Sequence, residues 1–137
     1  MTKLVREIAL QNAQKRKLSG KFVFLMPAYN EGMMIGQTLG KILDAGYKNI
    51  IVVNDGSNDT TQQVLESFTE RIIVLHHYKN RGQGAALETG FEYIRRYTDS
   101  EYVVCFDADG QHDIRDIAEF EKYLSPSVEI LLGSRFL

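Results

Sequence analysis

The stretch NIIVVNDGSNDTTQQVLESFTERIIVLH, residues 49–76, contains two apolar runs separated by a polar segment. Both runs, 49–55 and 71–76, are rich in β-branched residues and almost continuous in apolar residues, as in strands that are buried on both faces. Asn58 or Asp59 can cap a helix that continues to about residue 68. The stretch therefore predicts a strand, a crossover helix and a second strand parallel to the first.

The same alternation continues on both sides of this unit. It predicts further strands at 22–26, 101–107 and 128–134 and further helices at about 31–45, 83–97 and 113–124. Because the strands are apolar throughout, helices must cover both faces of the sheet. The expected fold class is α/β, a three-layer α/β/α sandwich with a mostly parallel sheet.

The segments outside this pattern bear on domain organisation. Residues 1–20 predict a short N-terminal helix with a basic end at 15–17. This helix could pack on the domain, lie on an anionic membrane surface or pair with a partner. Residues 21–137 form one predicted domain. Because the sequence stops just after the fifth strand, without a closing helix, we expect it to be the N-terminal part of a longer protein.

Composition and charge limit the classes of function. The chain has 137 residues, of which 44% are hydrophobic and 25% charged, as is typical of a globular domain. Its net charge of −2 excludes a general basic field for nucleic acid. Cys105 is the single cysteine and lies in an apolar run, so we expect a buried thiol, no internal disulfide and a reducing, cytoplasmic compartment. No apolar stretch approaches the ~20 residues of a membrane span.

A polar loop follows each of the first four predicted strands. The loops are PAYNE (27–31), NDGSND (54–59), HHYKNRGQGAA (76–86) and DADGQH (107–112). Ligands of open parallel sheets bind at the carboxyl ends of the strands, where these loops would meet. In the third loop, Gly82 and Gly84 open a helix N-terminus that can receive an anion. Lys79 and Arg81 add positive charge to that loop.

The fourth loop places two carboxylates two residues apart. Asp107 and Asp109 would point to the same side if the strand continues that far, and they would repel each other without a cation between them. With the Gln111 amide nearby, this all-oxygen set favours Mg²⁺ or Mn²⁺. His112 is either a group beside the metal ligands or an exposed loop histidine. His76 and His77 are interpreted as structural.

Two common nucleotide-binding motifs are absent. Gly82-x-Gly84 follows the third predicted strand, and Leu87 occupies the position of the last glycine in the dinucleotide fingerprint, so NAD binding is not predicted. The P-loop pattern is also missing from the sequence. Helix starts suited to phosphate, acids suited to a metal and a Tyr29 ring suited to a base or sugar together predict a nucleoside-diphosphate site with a divalent ion.

Four of these motifs, in order and at these spacings, resemble those of family 2 glycosyltransferases, the inverting enzymes with a GT-A fold. They are MPAYNE (26–31), VVNDGSNDTT (52–61), NRGQGAALETGF (80–91) and FDADGQH (106–112), and the resemblance runs from about Phe22 to Phe136. DADGQH and LLGSRF (131–136) are most similar to the branch of dolichol- and polyprenyl-phosphate sugar transferases. Asn54 stands where the family usually has the first Asp of a D-D-G-S motif.

The resemblance implies roles for individual residues. The nucleotide-sugar site would comprise Pro27, Ala28, Tyr29, Asn30, Glu31, Val53, Asp55, Gly56, Arg81, Gly82, Asp107, Ala108 and Asp109. Asp55 would bind the base. The catalytic residues would be Asp107, Asp109 and Arg135, with Arg135 holding a phosphate. Asp107, Asp109 and Gln111 would hold Mg²⁺ or Mn²⁺.

The resulting hypothesis is a metal-assisted glycosyltransferase that moves a sugar, with inversion, from a UDP- or GDP-sugar to a polyprenyl phosphate or a saccharide. The acceptor site and any general base are expected after residue 137. The enzyme would be cytoplasmic and would have no nucleic acid partner. Contact with the cytoplasmic membrane face and assembly into a homo-oligomer are both left open. Two alternatives stand beside it: a Mg²⁺-dependent nucleotidyl- or phosphoryl-transfer enzyme, and a catalytically inactive nucleotide-binding or interaction domain.

Overall fold

The computed structural model describes residues 22–110 and 113–121, which form four strands and four helices. The strands are β1 (Phe22–Ala28), β2 (Ile50–Asp55), β3 (Ile73–His77) and β4 (Tyr102–Cys105). The helices are α1 (Ile35–Asp44), α2 (Thr61–Glu66), α3 (Gln83–Tyr97) and α4 (Arg115–Glu121). The predicted N-terminal helix at 1–20 and the predicted fifth strand at 128–134 lie outside the described residues.

The four strands form one sheet in the order β3-β2-β1-β4, and every neighbouring pair is parallel. β1 and β2 are central in this order. All six residues of β2 are buried, in agreement with the continuous apolar pattern of its sequence. The predicted parallel sheet is therefore confirmed.

Helices cover both faces of the sheet, because successive side chains of each strand point to opposite sides. In β1, Phe24 and Met26 pack on one face with residues of α1, α2 and α4. Val23 and Leu25 pack on the other face, with residues of α3. None of these four side chains has exposed surface. The predicted three-layer α/β/α sandwich is confirmed.

β1 is two residues longer than its apolar run predicts, since it continues through Pro27 to Ala28. The Phe106 N–H donates to the Leu25 carbonyl, 3.0 Å away, so alternate residues of β1 face β4. Pro27 faces the same side, but the β1–β4 ladder ends at Leu25 and Cys105. Pro27 therefore lies beyond the paired part of β1 and β4, where the N–H that proline lacks is not needed for a hydrogen bond between the strands.

β4 ends at Cys105, two residues earlier than predicted, and Cys105 is exposed. The expectation of a buried cysteine was wrong. β4 is the last strand in the order of the described sheet, and its residues are less buried than those of β2. An apolar sequence run does not reveal where in the sheet its strand will lie.

The helices follow the predicted order with changes at their ends. α1 begins at Ile35 and not near residue 31, after a turn in which the Met34 N–H donates to the Glu31 carbonyl (3.0 Å). It ends before Gly46, as predicted, where φ is 94°. α3 has the predicted bounds. No helix within residues 22–110 and 113–121 has both the length and the apolar character that crossing a membrane requires.

The contact between α3 and β1 generates a prediction about Gly90. A Cβ at this position would lie 2.2 Å from Leu25 Cδ1 and 3.0 Å from its Cγ, inside the core. Gly90→Ala should therefore reduce the free energy of unfolding by about 1–3 kcal/mol through overpacking, as measured by urea denaturation.

Gly40 is the matched control, because it also lies within a helix but has open space where a Cβ would be. Gly40→Ala should raise the free energy of unfolding by about 0.5–1 kcal/mol, since alanine favours the helix. Equal stabilisation by both substitutions would contradict the close packing of α3 on β1.

Candidate functional site

The connections between strands reverse direction at the boundary between β1 and β4. The chain passes from β1 to β2 and β3, and α3 then crosses the other face of the sheet and leads to β4, which lies beside β1. A crevice forms at the carboxyl ends of the strands at such a point. Here the crevice contains a cavity of about 320 Å³. Ligand pockets commonly have volumes of ~300–1,000 Å³, so this one could hold a small ligand.

Most of the residues expected in a nucleotide-sugar site line this cavity. They are Pro27, Ala28, Tyr29, Glu31, Asp55, Asp107, Ala108 and Asp109. Three further lining residues, Asn80, Gln83 and Ala86, belong to the third loop (76–86) but were not expected individually as site residues. Gln83 and Ala86 are three residues apart on α3, so they lie on the same side of the helix. Their spacing at the start of a predicted helix was the signal in the sequence that could have identified both as lining residues.

Five other expected residues do not line the cavity: Asn30, Val53, Gly56, Arg81 and Gly82. Val53 has no exposed surface and packs between the sheet and α3. The other four belong to the loops that surround the cavity. Gln111, His112 and Arg135 lie outside the described residues, and their expected roles stay predictions.

Hydrogen bonds hold the loop after β1 to the loop after β2. The Asn30 N–H donates to Ser57 Oγ (3.0 Å), and Asn30 Oδ1 accepts from the Asn58 N–H (2.9 Å). The Glu31 N–H donates to Thr61 Oγ1 (2.9 Å). Asn30 has a φ of 54°, a left-handed conformation that asparagine adopts more readily than most residues. The two loops therefore form one continuous wall of the cavity.

Asp59, one of the two predicted capping residues, completes this connection. Its Oδ2 accepts from the Gly32 N–H (3.1 Å), and its Oδ1 accepts from the Thr61 N–H (2.9 Å) and from the Thr61 hydroxyl. These hydrogen bonds, above all that from the Thr61 hydroxyl, lower the pKa of Asp59 below its ordinary value. A Cβ at position 32 would lie 2.1 Å from Thr60 Oγ1, so glycine allows this close approach.

The Asp55 carboxylate joins the end of β2 to the loop after β3. Its Oδ1 accepts from the Arg81 N–H (2.9 Å) and lies 2.7 Å from His77 Nδ1. Its Oδ2 accepts from the Gly82 N–H (2.8 Å) and from Asn80 Nδ2 (3.0 Å). These four groups match the ~four lone-pair positions of a carboxylate. A nucleobase that donates to Asp55, as the resemblance implies, would share an oxygen with one of them.

Gly56 allows the same two loops to touch. It has a φ of 69°, which glycine adopts without strain. A Cβ at this position would lie 2.3 Å from both the Asn80 nitrogen and the Lys79 carbonyl carbon. Because both are backbone atoms, a larger residue would displace the whole loop. Gly56 therefore shapes the cavity without lining it.

The two acids after β4 retain the alternation of a strand although the ladder has ended. Phe106 and Ala108 are each 3% exposed and pack in the core beside α1. Asp107 and Asp109 alternate with them, are partly buried and line the cavity. The Thr38 hydroxyl on α1 shares its hydrogen between the Met34 carbonyl (3.1 Å) and the Ala108 carbonyl (3.3 Å), and the second contact anchors this loop to α1. The sequence prediction that both carboxylates reach one place is supported by their common cavity.

Glu31 shares the cavity with the two aspartates and responds to their charge. Its pKa is raised above the ordinary value, first by burial and then by the negative charges of Asp109, Asp59 and Asp107. The cavity is thus an acidic site in which an added cation would relieve repulsion.

Replacing Asp109 by asparagine should lower the pKa of Glu31, because the substitution removes a negative charge that opposes ionisation. The pKa should still lie above its ordinary value, since burial is the larger cause. An NMR titration of the Glu31 side-chain carboxyl measures this change. Asp44→Asn, which alters an exposed acid at the end of α1, is the control and should leave the Glu31 pKa unchanged. A Glu31 pKa that does not fall in Asp109→Asn would show that the two acids are not coupled.

Two curated proteins with similar sequences come from Methanocaldococcus jannaschii and Methanococcus voltae. The uncharacterized protein MJ1222 of Methanocaldococcus jannaschii is 40% identical over 129 residues, which cover 93% of this chain and 52% of the relative. The UDP-N-acetylglucosamine–dolichyl-phosphate N-acetylglucosaminyltransferase of Methanococcus voltae is 33% identical over 135 residues, covering 86% of this chain and 53% of the relative. The chain therefore spans about half the length of the curated relatives it matches.

Solved structures share the fold. Residues 1–349 of S. aureus TarS match with a TM-score of 0.58 and 22% identity, over 76% of this chain and 33% of that chain. Its complex with UDP-GlcNAc matches with a TM-score of 0.55 and 23% identity, over 76% and 32% of the two chains. Glucosyl-3-phosphoglycerate synthase of Mycobacterium tuberculosis, in complex with Mn²⁺, UDP-glucose and phosphoglyceric acid, gives 0.53 and 20%, over 76% and 37%. At these identities the likeness shows the fold alone.

A family model places the chain more directly. The model described as Glycosyl transferase family 2 matches residues 23–136, a range that includes β2, β3, β4, all of β1 except its first residue, and every residue that lines the cavity. The resemblance of the four motifs is therefore confirmed, and the dolichyl-phosphate enzyme among the relatives agrees with the predicted branch. The chain belongs to glycosyl transferase family 2.

Proposed function

We propose that the chain is the donor-binding part of a glycosyltransferase that moves a sugar from a nucleoside-diphosphate sugar to an acceptor. The observation that carries the proposal is the composition of the cavity, where Asp107 and Asp109 lie together with Tyr29 and Asp55 at the carboxyl ends of the strands. The ligands named for two solved neighbours, UDP-GlcNAc and UDP-glucose, have a nucleoside diphosphate in common and support this donor class.

We assign the nucleoside to the wall formed by the loop after β1. The Tyr29 side chain is 45% exposed and lines the cavity, so its ring could stack on a base. Pro27 and Ala28 supply an apolar surface beside it, and the Asn80 amide and the Asp55 carboxylate supply polar contacts. This combination of one ring, a small apolar surface and a few polar groups is typical of small-molecule sites.

We assign the diphosphate to the region between α3 and the acidic loop after β4. Gln83, the first residue of α3, and Ala86 line the cavity, so the N-terminus of this 15-residue helix lies beside it. The helix dipole and the N–H groups of a first turn favour a negative ligand. Arg135 would add a guanidinium with paired donors that suit a phosphate.

Asp107 and Asp109 would hold Mg²⁺ or Mn²⁺, with Gln111 as a further ligand. The residues fit such an ion, because both carboxylates line one cavity and both raise the pKa of Glu31. Within residues 22–110 and 113–121, no group of three or more His, Cys, Asp or Glu side chains could hold a metal by itself. Mg²⁺ commonly binds to one or two carboxylates together with substrate phosphates, so a set of two agrees with this habit. When bound, the ion would supply Lewis-acid stabilisation of charge on the leaving diphosphate.

We propose a polyprenyl phosphate as the acceptor, because the M. voltae relative is named for dolichyl phosphate. A phosphate oxygen is already ionised at neutral pH and needs no general base, whereas a saccharide hydroxyl would need one. The acceptor oxygen would form a bond to the anomeric carbon as the bond from that carbon to the diphosphate breaks. A single displacement of this kind inverts the anomeric centre. Such an acceptor would bring the reaction to a membrane surface. We propose the cytoplasmic face, which the basic segment 15–17 could contact.

Titration calorimetry of the 137-residue chain with UDP and with GDP, each with and without Mn²⁺, tests the donor assignment. We expect one nucleotide to bind in a metal-dependent manner. Asp109→Asn should weaken that binding by roughly 10–100-fold or more, because it removes a proposed metal ligand. Asp44→Asn, the remote control, should bind as the wild type does.

Two results would overturn the proposal. The first is failure of the wild-type chain to bind either nucleotide. The second is unchanged affinity in Asp109→Asn. A preference between UDP and GDP would in addition identify the donor class.

A further inference from the structure

The His77 side chain lies buried between two polar groups and outside the proposed catalytic set. Nδ1 is 2.7 Å from Asp55 Oδ1, and Nε2 is 2.9 Å from Thr89 Oγ1 on α3. Only 1% of the His77 side chain and 3% of the Asp55 side chain are exposed. The two residues are register partners at the ends of β3 and β2. His77 therefore connects the sheet, α3 and the Asp55 carboxylate.

The partners of the ring define the position of its proton. Ionised Asp55 only accepts hydrogen bonds, so Nδ1 must carry a proton and donate to Oδ1. The Thr89 hydroxyl can donate to Nε2. Within the described part of the chain, the Thr89 side chain has no other hydrogen-bond partner, so a second proton on Nε2 would leave the hydroxyl hydrogen without an acceptor. The contacts favour the neutral tautomer with hydrogen on Nδ1.

Asp55 transmits this contact to the cavity. Its carboxylate also receives the Arg81 and Gly82 backbone N–H groups and the Asn80 amide. Asn80 lines the cavity, and Gly82 immediately precedes α3. Rotation of the carboxylate would break these bonds together, because both oxygens are engaged. A side chain that sets the orientation of Asp55 therefore also sets the position of this loop.

We propose that His77 is a positioning residue for nucleotide binding, and that its Nδ1–H holds Asp55 in the orientation that places residues 80–82 and the start of α3 at the cavity. The inference rests on the proposed function, since it assigns the nucleotide to this cavity. It differs from a core-filling role, in which only the volume of the ring would matter. His77 itself does not line the cavity and acts through Asp55.

Two substitutions separate these roles. In His77→Asn the amide nitrogen can take the place of Nδ1 and donate to Asp55, while in His77→Gln the amide reaches towards the place of Nε2 and Thr89. Both variants leave a cavity in the core, so both should unfold at lower urea concentration. The positioning role predicts that nucleotide affinity with Mn²⁺ stays within ~3-fold of wild type in His77→Asn and falls by ~10-fold or more in His77→Gln, the equivalent of one hydrogen bond to a charged group. Equal affinities in the two variants would overturn the inference.

Two measurements that need no nucleotide test the role of His77 independently of the proposed function. Amide hydrogen exchange at Arg81 and Gly82 should be faster in His77→Gln than in His77→Asn, because only the second retains a donor to Asp55. In the wild-type chain, ring ¹⁵N shifts should show the proton of His77 on Nδ1, and a proton on Nε2 alone would overturn the inference even if neither variant folds. If the wild-type chain binds no nucleotide, the proposed function fails. If it binds and the two variants bind alike, only the role of His77 fails.

Discussion

The buried carboxylate of Asp55 is the interaction on which the site depends. A charged group with 3% exposure is tolerated only when hydrogen bonds replace the water that it loses. Here the replacement comes from His77, Asn80 and the backbone N–H groups of residues 81 and 82. The same bonds hold the end of β2, the end of β3 and the start of α3 together. Removing the carboxylate would leave several buried donors unsatisfied, so these hydrogen bonds both fix the geometry of the loops and contribute to stability.

The other loops around the cavity are linked, each to the next, to the loops that Asp55 joins. Gly56 brings the loop after β2 against the backbone of residues 79 and 80, and Asp59 holds the loop after β1 through Gly32. On the far side, Thr38 anchors the acidic loop to α1. The cavity is therefore bordered by loops that contact one another, and its position follows from the strand order β3-β2-β1-β4. A substitution that moves one loop should therefore also shift the loop that it contacts.

Membership in glycosyl transferase family 2 narrows the alternatives raised by the sequence. It favours sugar transfer over nucleotidyl or phosphoryl transfer, and the family match includes the acidic loop on which donor binding would depend. The chain spans about half of the curated relatives that it matches, so the acceptor and the complete reaction are proposals about the whole protein. The polar lining of the cavity agrees with donor binding, because tyrosine, asparagine and carboxylate side chains can contact a base, a sugar and a metal ion.

Patterns in the sequence were enough to predict the strands and helices of the described residues and most of the residues that line the cavity. Continuous apolar strands separated by helices specify a parallel sheet covered on both faces, and the carboxyl ends of such strands must meet, which is why Tyr29, Asp55 and the two acids of 107–109 were predictable. The position of β4 beside β1 and the exposure of Cys105 depend on how the elements pack together, which no local pattern reveals. The tertiary structure also decided that Asp55 is engaged by His77 and by three groups of the following loop. Hydrogen bonds between loops far apart in the chain have no periodicity, so no local pattern in the sequence could show them.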